Sequence, residues 1–160
     1  MRLAGDDVGQ VADAHLGNVF ICEHAFRSCS RRSFFERGGA MIDSSPMYGY
    51  SETIIGEMLK QTSHPRLFSA TKIWTVGKAL GRWQLERSRK LWGVPKFDLV
   101  HIHNMLDWRT HVETLKEMKA AGAVRYIGIT TSEGVKHAEM EQALKREAER
   151  EEKHRDEKRD

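Results

Sequence analysis

Cysteine is scarce in this chain: two residues, Cys22 and Cys29, among 160. Their number and spacing build neither a zinc site nor a disulfide framework, so a reducing cytoplasm is the expected setting. Long apolar runs are missing as well, with nothing approaching the ~18 residues of a membrane span. The opening Met1-Arg2-Leu3-Ala4-Gly5-Asp6-Asp7 places acids where a signal peptide carries its apolar segment. Charge of one sign is also lacking. Lys and Arg (26) nearly balance Asp and Glu (23), for a net +3, and the two signs are interspersed. No basic block tracks a phosphate backbone, which argues against nucleic acid as a partner.

What the chain does have is concentrated in residues 38–52. Ala40-Met41-Ile42 is too short an apolar run for a helix and the right length for a buried parallel strand. Asp43 stands at its end, a Ser/Pro/Gly loop follows, and Tyr48 sits on that loop. Ser51 and Glu52 open a helix with Ile54, Ile55, Met58 and Leu59 on its apolar face; Ser suits an N-cap and an acid suits the first turn. The unit is strand, loaded loop, helix, with two proton-active side chains at the carboxyl end of the strand. That is where α/β barrels keep their chemistry.

The same alternation continues along the chain. Residues 31–39 read as the end of a helix with basic residues and a glycine stop. A strand over residues 67–72 ends in Lys72, and a helix over residues 78–92 shows Leu80, Trp83, Arg87 and Leu91 on one side before Gly93-Val94-Pro95. In the next strand, alternation sets Leu99, His101 and His103 on one face and Val100 and Ile102 on the other. Thr110-His111-Val112-Glu113 reads as a capping box, with Val112, Leu115 and Met118 turned inward. Gly122 closes that helix and residues 124–129 form a further strand. A last helix is expected from Ser132 or Glu133 into the charged tail, residues 145–160, which reads as a solvated, fraying helix or disorder. Strand–helix alternation with short connections argues for a parallel sheet with right-handed crossovers. Residues 1–33 show no sustained period, and the change near Ser30 suggests a foreign, frame-shifted or mis-assigned amino end.

Each polar residue at a strand end also has an ordinary reading: a solvated rim charge for Asp43 or Lys72, packing for Tyr48, a rim aromatic for Trp74, a loop amide for Asn104. His101-x-His103 has a rival one too, since a histidine pair at a strand end opens the metal site of some barrel hydrolases. There the pair sits on the first strand and more histidines complete the set. Here it sits on the third strand that can be identified.

Four motifs, in order, resemble the aldo-keto reductases. Asp43 with Tyr48-Gly49 and Ser51-Glu52 resembles the end of the family's second barrel strand. Leu67-Phe68-Ser69-Ala70-Thr71-Lys72-Ile73-Trp74 is similar to its third, with the terminal Lys, and Asp98-Leu99-Val100-His101-Ile102-His103-Asn104 to its fourth, with the terminal His. Residues 118–129 are similar to its fourth helix and fifth strand. The resemblance covers residues 34–144 and implies an α/β fold, a partial TIM (β/α)8 barrel of about strands 2–5 with their helices. Three segments result: a poorly matched residues 1–33, the partial barrel 34–144, and the tail 145–160.

The implied activity is NADPH-dependent reduction of small aldehydes or ketones. No side chain gives hydride, so a nicotinamide cofactor must supply it. A Tyr serves as acid only if its pKa, roughly 10 unperturbed, is lowered, and a nearby ammonium does that. By resemblance Tyr48 is the acid, Lys72 its pKa depressor, Asp43 the anchor of Lys72 and a cofactor contact, and His103 the group that orients the carbonyl. Asn104 and Thr130 are implied contacts to the nicotinamide amide, and Trp74 a wall of the substrate pocket. Thr131 stands where the family often has Asn. No metal is implied. At 160 residues the chain falls short of the roughly 250 of a whole barrel. It is therefore expected to stop before strands 6–8, whose loops hold the cofactor's pyrophosphate and adenosine end. The alternative is a non-catalytic fragment or pseudoenzyme that acts, if at all, through self-association at an exposed barrel edge.

Overall fold

The computed structural model describes residues 18–20, 31–132 and 136–157. Five parallel strands form one sheet whose spatial order follows the chain: β1 (Asn18–Phe20), β2 (Met41–Asp43), β3 (Phe68–Ile73), β4 (Phe97–Ile102) and β5 (Val124–Ile129). Helices α1 (Arg31–Glu36), α2 (Ser51–Gln61), α3 (Lys78–Trp92), α4 (Trp108–Ala120) and α5 (His137–Asp156) alternate with them. This is the partial barrel expected from the sequence, with one addition. The segment read as foreign supplies an edge strand, in which Val19 pairs with Ile42. The remainder of residues 1–30 lies outside the described residues.

Strand register fixes the layout of the site. Asp43 pairs with Ala70, Ala70 with Leu99, and Leu99 with Tyr126. Lys72 pairs with His101, and His101 with Gly128. With side chains alternating between faces, Asp43, Lys72 and His101 share the inner face. Ile73 and Ile102, on the other face, are fully buried with Ile55, Leu85, Trp92 and Leu115 in the helix-covered core. Burying side chains of this size contributes roughly 1.5–3 kcal/mol each.

Two local expectations give way to the structure, and the side of α3 that carries Leu80 and Trp83 is not the side it buries. The inward face of α3 is Gly81, Leu85, Ser88 and Trp92, while Leu80 and Trp83 are 57% and 64% exposed. Small and polar residues face inward because each meets a specific neighbour. A Cβ at Gly81 would press on the His111 ring, and Ser88 donates to Glu52. The capping box at Thr110 is replaced by Asp107, one turn earlier, whose carboxylate accepts from Thr110 Oγ1 and from the Gly77 amide, both at 2.8 Å. Ser51 is the first residue of α2 rather than its cap, and its hydroxyl is hydrogen-bonded to that of Ser44.

α5 begins at His137, later than the expected Ser132 or Glu133; Glu133 lies outside the described residues. Its charged portion is tied down in part. Lys116 of α4 pairs with Glu147, and Arg150 reaches Glu113 at 3.1 Å. Ala143 is buried and Met140 packs against the core, so apolar contacts accompany the ion pairs. No helix among the described residues is long and apolar enough to cross a membrane.

Candidate active site

The site is assembled from the carboxyl ends of β2, β3 and β4. Lys72 is 5% exposed, and a buried ammonium needs compensating partners. It donates to Asp43 Oδ2 at 2.6 Å and to the Ser44 carbonyl at 2.9 Å. Tyr48 lies over it, with Nζ 5.3 Å from the ring centroid. A turn sets Tyr48 there, its amide donating to the Ser45 carbonyl, and the ring is 37% exposed at the rim. Three of the residues read from the sequence, Asp43, Tyr48 and Lys72, therefore meet at one place.

His103 stands just past β4 in a short 3-10 turn, His103–Met105, rather than within the strand. Its Nδ1 is 2.9 Å from Thr130 Oγ1, and its Nε2 is 3.4 Å from Asn104 Nδ2. Burial holds the imidazole below its ordinary pKa, with Lys72 pushing the same way and Asp43 opposing. Thr130, read from the sequence as a nicotinamide contact, is thus also the hydroxyl partner of the site histidine. No feature of the sequence pointed to that pairing.

Asn104 sits in left-handed backbone at φ 52°, followed by Met105 at φ 54° and Asp107 at φ 46°. Such conformations cost on the order of 1–3 kcal/mol each in a non-glycine residue and persist only where surroundings hold them. Here they do. Asn104 Oδ1 accepts from the Ser132 amide at 2.8 Å, and its carbonyl accepts from Lys136 Nζ at 3.3 Å. Asp107 ties the same loop to the one after β3.

Trp74 follows β3 and is 43% exposed. The Gln84 side chain clamps its backbone, accepting from the Trp74 amide at 2.8 Å and donating to its carbonyl at 3.3 Å. The indole is thereby held at the rim beyond Lys72. Glu52, assigned from the sequence only to the first turn of α2, is 3% exposed. It accepts from Thr71 Oγ1 at 3.0 Å, Ser88 Oγ at 2.9 Å and Trp92 Nε1 at 3.3 Å. This buried carboxylate joins α2, β3 and α3 one residue from Lys72.

His101 shares the inner face but forms no metal group with His103. Among the described residues, no three His, Cys, Asp or Glu side chains converge as a metal site would require. The groove on the outer side of α3, lined by Trp83, Glu86, Arg87, Lys90 and Leu91, contains none of these site residues.

The aldo/keto reductase family model matches residues 23–153. The chain belongs to the aldo/keto reductase family. The match starts ahead of residue 34 and runs past residue 144, so it is longer at both ends than the four motifs indicated. Among solved structures, an aldo-keto reductase from a Medee basin deep-sea metagenome library superposes with a TM-score of 0.58 at 25% identity, over 71% of this chain and 44% of that one. A thermostable aldo-keto reductase in complex with the inhibitor epalrestat gives 0.62 at 23% identity, over 72% and 43%. The holo form of an aldo-keto reductase from Bacillus halodurans gives 0.55 at 24% identity, over 61% and 38%. This aldo/keto reductase chain therefore spans less than half the length of these structures. Comparison with curated proteins gives no match.

Proposed function

We propose that this chain carries the catalytic end of an NADPH-dependent aldo-keto reductase acting on small aldehydes or ketones, in a reducing cytoplasm. The observation that carries the reading is Lys72, bound to Asp43 Oδ2 and the Ser44 carbonyl beneath the Tyr48 ring. The donor set fits the reacting end of a nicotinamide: Tyr48 is exposed at the rim, and Asn104 and Thr130 flank His103. When bound, the cofactor supplies hydride to the carbonyl carbon.

Tyr48 gives its hydroxyl proton to the carbonyl oxygen, and Lys72 stabilises the phenolate left behind. Asp43 accepts from that ammonium and holds it beneath the Tyr48 ring. His103 lies beside Thr130 and Asn104, placed to orient the carbonyl. Trp74, held by Gln84, walls the substrate side.

A second reading is favoured by Tyr126 on the edge strand β5, which is 45% exposed on the inner face. In that reading the chain associates with itself through this edge and does no chemistry.

Titration with NADPH, followed by cofactor fluorescence, separates the two. Tyr48→Phe and Lys72→Ala run alongside, with a nitrobenzaldehyde as substrate. Saturable binding with turnover that both substitutions abolish supports the reductase. No binding up to millimolar NADPH overturns it, and a concentration-dependent dimer would then favour association.

A further inference from the structure

One imidazole in the site has no role in the reductase reading. His101 lies on the inner face, paired in register with Lys72 on one side and Gly128 on the other. Room for it is provided by Gly128, where a Cβ would stand 2.5 Å from His101 Cδ2. Its Nδ1 is buried and has no hydrogen-bond partner. The second oxygen of Asp43, Oδ1, is likewise buried and unpartnered. These two atoms face one another at 3.9 Å. Both are shielded from solvent, so neither can be satisfied from bulk water. One is an acceptor, and the other becomes a donor in one of the two neutral tautomers. A shift of about one ångström brings them within hydrogen-bonding distance.

We propose that His101 is a positioning residue for Asp43, donating from Nδ1 to the carboxylate oxygen that Lys72 leaves free. Asp43 is then clamped between an imidazole on β4 and an ammonium on β3, and cannot rotate away from Lys72. Through that clamp His101 acts on Tyr48 without touching the substrate. Three charged or titratable groups face the ring. Asp43 on β2 favours its protonation, whereas Lys72 on β3 and His103 beyond β4 oppose it. β5 contributes only Gly128 at this point. Burial is the largest influence and places the imidazole below its ordinary range, so at neutral pH the clamp is a neutral Nδ1–H donor.

The effect on catalysis rests on the reductase reading, but the clamp itself is tested without cofactor. Nitrogen-15 NMR of the imidazoles reports tautomer and titration midpoint for each histidine, and H101Q identifies the His101 signals by their loss. The expected result is an Nδ1–H tautomer for His101 in the wild type. Its midpoint should fall in D43N, which removes the group favouring protonation, and rise in K72M. A predominantly Nε2–H tautomer in the wild type overturns the proposal whether or not the variants fold. So does a midpoint that D43N leaves unmoved. Where NADPH turnover is measurable, H101Q should lower kcat about tenfold and shift its pH profile while leaving the carbonyl KM unchanged. Absence of turnover with the expected tautomer and shift would defeat the reductase reading and leave the clamp standing.

Discussion

Thr130 Oγ1 lies 2.9 Å from His103 Nδ1, joining the residue after β5 to the histidine after β4. A hydroxyl can donate or accept, so this contact can be made by either tautomer of the ring. When Thr130 donates, the hydrogen is on Nε2, the nitrogen on the other side of the ring. Thr130→Val keeps the shape and removes the partner. We expect kcat/KM for carbonyl reduction to fall about tenfold, equivalent to about 1.4 kcal/mol, with Thr130→Ser close to wild type. Equal activity in the Val and Ser variants would show that the hydroxyl has no part in orienting His103.

Glu52 illustrates how much a single buried acid can organise. Three donors from three different side chains converge on it. Glu52→Ala leaves all three buried and unpartnered, each at about 1–3 kcal/mol, and the side chains relax to recover part of that. We expect a loss of about 3 kcal/mol in urea unfolding. Glu52→Gln should lose less, because its carbonyl oxygen still accepts. A loss under about 1 kcal/mol for the Ala variant would mean that the network is not dry.

Gly56 sits within α2, where helix propensity alone favours alanine by about 1 kcal/mol. Packing argues the other way, because a Cβ there would overlap the Leu91 carbonyl oxygen of α3. That oxygen is backbone and cannot swing aside. Overpacking of this sort costs about 1–3 kcal/mol, so the clash wins. Gly56→Ala should therefore lower the thermal midpoint, and a raised midpoint would show that α2 and α3 slide apart at little cost.

Stability should also depend on pH through the two inner-face histidines. Burial lowers the pKa of both His101 and His103 in the folded protein. Unfolded imidazoles titrate at about 6.5, so the unfolded chain binds more protons below that point. The stabilisation is fully present above about pH 6.5 and is lost as pH falls through the lowered folded values. Thermal midpoints recorded from pH 7.5 to 5 should fall with pH, and less steeply in His103→Gln. A variant as steep as the wild type would place the titrating group elsewhere.

Much of the strand layout was legible because parallel β/α units write themselves as short apolar runs ending in a polar residue. Asp43 and Lys72 are read correctly as strand-end neighbours for that reason, and their contact follows from register. Glu52 stands in the first turn of α2 as expected, but its buried bonds were not legible, because an acid there looks the same whether it meets solvent or a buried hydroxyl. The buried face of α3 was not legible, because apolar counting favours Leu80 and Trp83, while the interface includes Gly81 and Ser88 fitted to particular partners. Thr130 and His103 are 27 residues apart, and only the packing of β5 on β4 brings them together.

The sheet follows the order of the chain, β1-β2-β3-β4-β5, so each strand finds its partner in the one made just before it. During synthesis, at roughly 5–20 residues per second, each unit can dock as it leaves the ribosome, with no strand left waiting for a distant mate. Asp43 is in place before Lys72 emerges, and Lys72 before His101. The growing edge of the sheet acts as a template for the next strand, and the site is put together in the order in which it is translated.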